Sequence, residues 1–166
     1  MRYQGLLYRA LNPVYAKEPL SGRGAQLYGG RFNAKGTAVL YLAMDVLTAV
    51  REANQVGTLQ PTTLVAYEAD IDDLFDCRDT SALSSHGMTS DGLATTSWRD
   101  EMKASGLSKT QSFAADLDAA GFVGLVVRSF VKGSSDTDLN VVLWKWSDAL
   151  PHQLIVVDDD GRLTKS

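Results

Sequence analysis

Apolar positions recur along this chain with two periods, and the switches between them mark out its elements. Residues 3–9 (Tyr-Gln-Gly-Leu-Leu-Tyr-Arg) read as a first strand that delivers Arg9 at its end. Residues 12–28 hold Pro13, Pro19, Gly22 and Gly24 without clear periodicity. They predict a long irregular loop, and in compact domains loops above roughly 12–15 residues usually carry function or motion. The apolar run 38–43 has the length of a strand. Asp45 is the expected N-cap of a helix that reaches Asn54, with Val46, Ala49, Val50 and Ala53 on one face. Thr48 and Glu52, one turn apart, are expected off that face. Gly57 closes the helical region.

Farther on, Thr62–Ala69 alternates like a half-buried strand, and Ile71–Cys77 is expected to add one helical turn. Residues 79–108 are rich in Ser, Thr, Asp and Gly and read as a loop region with one turn of helix at 98–104. Ser108 and Gln111 have the spacing of a capping box for a helix from Lys109 to Ala120, closed by Gly121. Phe122–Arg128, Leu139–Trp146 and Gln153–Val157 predict three more strands, with turns at Gly133–Asp136 and Asp160-Gly161. Trp144 and Trp146 would share one buried face of their strand. This order of elements predicts an α+β fold: a mixed β-sheet core with short flanking helices, in one domain spanning 1–166.

Charge and composition narrow the function. The chain has 166 residues, 45% of them hydrophobic, and a formal net charge of −4. That charge argues against a general nucleic-acid binder, which needs a basic face. The arginines Arg9, Arg23, Arg31 and Arg51 all fall in the first third, an asymmetry that favours a small anionic ligand over a polymer. No apolar run approaches the roughly 18 residues of a membrane span, and the first residues show no signal-peptide pattern. A lone cysteine, Cys77, excludes an intrachain disulfide and fits a reducing, cytoplasmic setting. Its neighbours Asp76 and Asp79 would raise its thiol pKa and argue against a nucleophile.

Candidate chemistry is sparse. His86 and His152 are far apart, and no spacing suggests a metal site. No nucleophile elbow, dinucleotide fingerprint or Walker loop is present. What remains is the stretch Gly29 to Glu52: a glycine pair, Arg31, Asn33, Tyr41 on a strand, and Glu52 on the helix after it. It offers close backbone approach, a fixed cation, a flat aromatic and an anion, a set that suits a phosphorylated, sugar-containing substrate reacting through a cationic state. Each residue also has a plain reading: a turn arginine, a core tyrosine, a solvated helix glutamate, and for Ser129 a strand end.

The motifs Tyr8-Arg9, Gly29-Gly30-Arg31-Phe32-Asn33, Gly36, Leu40-Tyr41-Leu42-Ala43 and Thr48-Ala49-x-x-Glu52, with the later Ser129 and Asn140, together resemble the RES domain. Phe32 stands where the family commonly has tryptophan, and Arg128 where proline is frequent. The resemblance implies an ADP-ribosyltransferase-like fold and a bacterial toxin that uses NAD⁺ as substrate, without a metal. It further implies that Glu52, Arg31 and Tyr41 are catalytic, and that Arg9, Arg31, Asn33, Tyr41 and Ser129 bind NAD⁺. The implied partners are an Xre-like antitoxin covering the site and a host protein that accepts ADP-ribose, with no nucleic acid or membrane. Water or phosphate as acceptor (an NAD⁺ glycohydrolase or phosphorylase), or a non-catalytic binding module, are the alternatives.

Overall fold

The structure, a computed structural model, describes residues 1–55 and 57–163. Its elements in chain order are β1 (Tyr3–Leu11), α1 (Arg23–Tyr28), β2 (Leu40–Ala43), α2 (Val46–Ala53), β3 (Thr63–Ile71), β4 (Leu74–Asp76), α3 (Thr80–Ser85), α4 (Ser90–Leu93), α5 (Trp98–Ser105), α6 (Lys109–Ala119), β5 (Gly124–Arg128), β6 (Leu139–Leu143) and β7 (His152–Val156). All the strands join one sheet in the order β4-β5-β6-β2-β1-β3-β7, antiparallel except for the β4–β5 pair. This is the mixed sheet with short helices that the element order predicts.

Strand alternation sorts the core onto two sides of the sheet. Val126 of β5 and Val141 of β6 pair in register and join Leu7, Leu42 and Tyr67 on one side. Leu125, Val127 and Val142 project to the other, where Phe75, Phe113 and Leu117 cover them. Gly124 is required between these strands, since a Cβ there would collide with the Val142 carbonyl and come within 2.8 Å of Leu143. The capping box of α6 forms as its sequence predicts: Ser108 Oγ accepts from Gln111 N at 3.1 Å, and Gln111 Oε1 accepts from Ser108 N at 2.9 Å.

Several expectations need correction. Residues 71–77 form no helical turn; Leu74 and Phe75 are buried in strand β4, which follows Asp73 at a φ of 61°. A positive φ there turns the chain out of β3 and cannot start a helix. The helical turn expected at 98–104 is the helix α5, but the rest of 79–108 is not simply loop, since it also carries α3 and α4. Two of the polar residues in this stretch cap its helices: Asp79 accepts from Ala82 N at 3.0 Å and Thr89 from Gly92 N at 3.0 Å. The 12–28 stretch likewise contains a 3₁₀ turn at Pro13–Tyr15 and the helix α1.

The tryptophans do not share a face. Strand β6 ends at Leu143, so strand alternation lapses beyond it; Trp144 packs with the Phe75 side of the core and Trp146 with the Leu7 side. The buried line of α2 is also rotated from the expected one. Thr48 and Ala49 are its buried residues, whereas Val46 and Ala53 are exposed. Thr48 goes inward because Asp45 holds both its backbone N–H (2.8 Å) and its hydroxyl (2.7 Å), so its polar atoms are satisfied. The rotation carries Glu52, one turn on, to the inner side.

Candidate functional site

Glu52 is the point on which the site closes. Its Oε1 accepts from Ser129 Oγ at 2.6 Å and from Asn140 Nδ2 at 2.6 Å, and its Oε2 accepts from Gln55 Nε2 at 2.9 Å. The donors come from far along the chain. Asn140 lies on β6, opposite Ala43 of β2 and Val127 of β5, and Ser129 follows β5, fully buried. Ser129 Oγ in turn accepts from Val131 N at 3.3 Å and Ser134 Oγ at 3.1 Å, which fixes its hydroxyl toward Glu52. The other end of the Asn140 amide, Oδ1, is buried without a hydrogen-bond partner among the described residues.

Two cavities meet at this carboxylate, and Tyr41, Glu52 and Asn140 line both. The first, about 200 Å³, is walled by Tyr8 and small apolar residues including Ala10, Ala43, Ala49 and Ala53. The second, about 270 Å³, is lined by Arg31, Arg99 and Arg128 against the single carboxylate of Glu52. One chamber is therefore mainly apolar. The other is cationic, in a chain whose net charge is −4.

Tyr41 is held from below. Its hydroxyl donates to Asn33 Oδ1 at 2.6 Å and accepts from Phe32 N at 3.1 Å. Burial pushes its pKa well above that of an ordinary phenol, against the opposing Phe32 hydrogen bond and Arg31 charge. The hydroxyl therefore stays a donor to Asn33, and the ring is left to face the chambers. Asn33 is almost wholly buried and lines neither chamber; its amide donates to Ala25 O at 2.8 Å and Thr37 O at 3.0 Å. It acts on the site through Tyr41. Gly30 completes the packing: a Cβ there would lie 2.5 Å from the Tyr41 oxygen and 2.7 Å from Asn33 Oδ1.

Arg31 lines the cationic chamber and is anchored there. Its Nη1 donates to Leu93 O at 3.0 Å and to Thr95 O, and its guanidinium lies 4.8 Å from the Phe130 ring centroid. Burial lowers its pKa from the usual arginine value, with the Glu52 charge opposing. The guanidinium is a planar fork of five N–H donors, and Nε and Nη2, without a hydrogen-bond partner among the described residues, remain for a ligand. The backbone of Arg31 is fixed by α6, since Thr110 Oγ1 donates to Arg31 O at 2.5 Å and Gln111 Nε2 to Gly30 O at 2.9 Å.

Arg9 lies on the wall of the apolar chamber, but its guanidinium donates to Pro19 O at 2.9 Å, the carbonyl that the Tyr67 hydroxyl also reaches. It ties down the segment that follows β1. Of the residues singled out in the sequence, Glu52, Ser129 and Tyr41 thus converge directly, Arg31 faces them, and Asn33 and Arg9 support the walls. Trp98, Arg99 and Phe130 also line the cationic chamber. Trp98 and Arg99 open the helical turn expected at 98–104, about 46 residues beyond Glu52, and nothing in their local pattern connects them to it. Cys77 is buried away from both chambers, its thiol pKa raised by burial and then by Asp76.

Comparison with known proteins fits this arrangement. A family model described as "RES domain" matches residues 6–166. A protein named "Toxin Res" from Yersinia enterocolitica is 45% identical to this chain over 63 residues, 38% of this chain and 41% of that protein. The matched region thus covers less than half of the relative.

Proposed function

The chain belongs to the RES domain family, and from that premise we propose that it is a toxin that cleaves NAD⁺ and transfers the ADP-ribose to a host protein. One observation carries this reading. A carboxylate oriented by Ser129 and Asn140, at 2.6 Å each, stands at the junction of an apolar chamber and an arginine-lined one.

NAD⁺ has the matching division: a flat nicotinamide ring, a ribose, and an anionic pyrophosphate. In the proposed pose the nicotinamide enters the apolar chamber beside Tyr41, its cationic ring against the tyrosine face. The ribose lies at Glu52 and the pyrophosphate in the arginine chamber. As the ribose–nitrogen bond breaks, its electron pair goes to the nicotinamide nitrogen and positive charge develops at the ribose C1. Glu52 accepts a hydrogen bond from a ribose hydroxyl and stabilises that charge; Ser129 and Asn140 keep the carboxylate from turning away as it does so. A nucleophile on the host protein then bonds to C1 and loses its proton.

An antitoxin of the Xre type that covers the two chambers belongs to the same proposal. No helix among the described residues is long and apolar enough to cross a membrane.

The test is product analysis. Purified protein is incubated with NAD⁺, with and without phosphate and a cell lysate, beside the Glu52→Gln variant. The expected result is nicotinamide release that depends on Glu52, with ADP-ribose mass added to a lysate protein. Free ADP-ribose or its 1-phosphate would reassign the acceptor to water or phosphate. Absence of nicotinamide release in every condition would leave a binding module instead of an enzyme.

A further inference from the structure

Most guanidinium groups near the two chambers are already engaged. Arg9 is bound to Pro19 O, and Arg31 to Leu93 O and Thr95 O. Arg128 pairs with Asp136 at 3.0 Å and Arg51 with Asp138 at 3.5 Å. Arg99 lines the cationic chamber and forms no ion pair with a carboxylate among the described residues. Its guanidinium carbon lies 4.5 Å from the ring centroid of Trp98, which is itself buried and also lines the chamber. That cation–π contact seats the exposed guanidinium over the indole, and none of its N–H groups makes a hydrogen bond among the described residues, so less side-chain entropy is lost on binding an anion.

The residue is carried on a fixed element. On α5, Glu101 accepts from Ser97 Oγ at 2.7 Å and from Lys109 N at 3.2 Å. Met102 Sδ lies 3.2 Å from Gln111 Nε2, the same amide that holds Gly30 O. Gly29 must lack a side chain for this contact, since its Cβ would meet Met102 Sδ at 2.9 Å. The helix bearing Arg99 is therefore docked against the turn that bears Arg31.

We propose that Arg99, stacked on Trp98, is the principal clamp for the pyrophosphate of the substrate, with Arg31 as the anchor that holds the α4–α5 connection beside it. The inference rests on the NAD⁺ reading above. It assigns the anion's main contact to a residue outside the motifs that carry the resemblance, so substrate affinity is set by the α3–α5 segment between β4 and α6.

The test uses the full chain with ADP and ADP-ribose as ligands, neither of which can be turned over. Isothermal titration is made on wild type, Arg99→Gln and Arg99→Lys over a series of salt concentrations. Arg99→Gln is expected to raise Kd for both ligands by roughly tenfold or more, the effect of losing one charge-assisted contact. It should also flatten the salt dependence of binding and leave the thermal unfolding midpoint unchanged. Arg99→Lys, which keeps the charge but not the planar fork, should fall between. A Kd for Arg99→Gln within twofold of wild type overturns the assignment while the NAD⁺ reading stands. Failure of wild type to bind ADP, ADP-ribose or NAD⁺ overturns that reading and the assignment with it.

Discussion

At the scale of single residues, the site is a carboxylate whose direction is fixed before any substrate arrives. Oε1 of Glu52 has a hydroxyl and an amide as donors. Rotating it away would leave the fully buried Ser129 hydroxyl without its acceptor, at a cost of about 1–3 kcal/mol. Glu52→Gln keeps the shape and removes the charge that answers the developing cation. Its kcat with NAD⁺ is expected to fall by about 10²–10³ while Kd stays within twofold, as for the loss of an interaction made only in the transition state. Equal losses in kcat and in affinity would count against this role, and single-turnover kinetics beside a binding titration distinguishes the two. The family resemblance already brings Glu52, Ser129 and Asn140 together as motif residues. It could not show that Ser129 and Asn140 both donate to one Glu52 oxygen, because the strand pairing that brings 140 opposite 43 is non-local.

At the scale of elements, the turn Gly29–Asn33 is the joint between sheet and helices. Its glycine at 30 is required by contact, with Tyr41 Oη 2.5 Å from where a Cβ would lie. Gly30→Ala is expected to destabilise the fold by about 1–3 kcal/mol, as overpacking does, and to break the Tyr41–Asn33 hydrogen bond. Urea unfolding measures the first effect; the second should appear as a fall in the Tyr41 phenol pKa on ultraviolet titration. Arg31→Ala removes two hydrogen bonds from a charged donor to the carbonyls of Leu93 and Thr95. It is expected to lower stability by about 1–3 kcal/mol and to raise hydrogen exchange in the α4–α5 connection. NAD⁺ binding should weaken as well. Unchanged exchange at residues 93–97 would show that Arg31 serves the ligand only.

At the scale of the whole molecule, ionisable groups bound the pH range of stability from both ends. Asp70, Asp76 and Glu101 are held below the usual carboxylate range, chiefly by hydrogen bonds from Arg2, Arg78 and Ser97. Because their folded pKa values are depressed, the stability they contribute is present above the unfolded value of about 4 and is lost as pH falls below it. Burial instead raises the pKa of Tyr41, Tyr67 and Cys77. Their neutral forms are favoured in the fold, so stability is lost as pH rises beyond the unfolded values, about 8.5 for the thiol and 10 for the phenols. The thermal midpoint should therefore be flat from about pH 5 to 8 and decline on both sides. A midpoint that holds steady down to about pH 2.5 would refute the acid limb.

What this sequence determined by itself is whatever local chemistry specifies. The strand cores, the Asp45 and Ser108 caps, the α+β class and the Gly29–Glu52 motif are all short-range patterns, set by side-chain period, capping hydrogen bonds and glycine conformation. The reading failed where a local signal had a different tertiary use. In 79–108, Asp79 and Thr89 cap helices rather than line a loop, and Thr48 turns inward because Asp45 satisfies it. Only the tertiary structure decided that Ser129 and Asn140, 77 and 88 residues beyond Glu52, donate to one oxygen. It likewise decided that Arg99 reaches the chamber that Arg31 lines. Those contacts depend on sheet order and helix docking, which are fixed by the burial of whole faces and leave no trace in the spacing of the residues that meet.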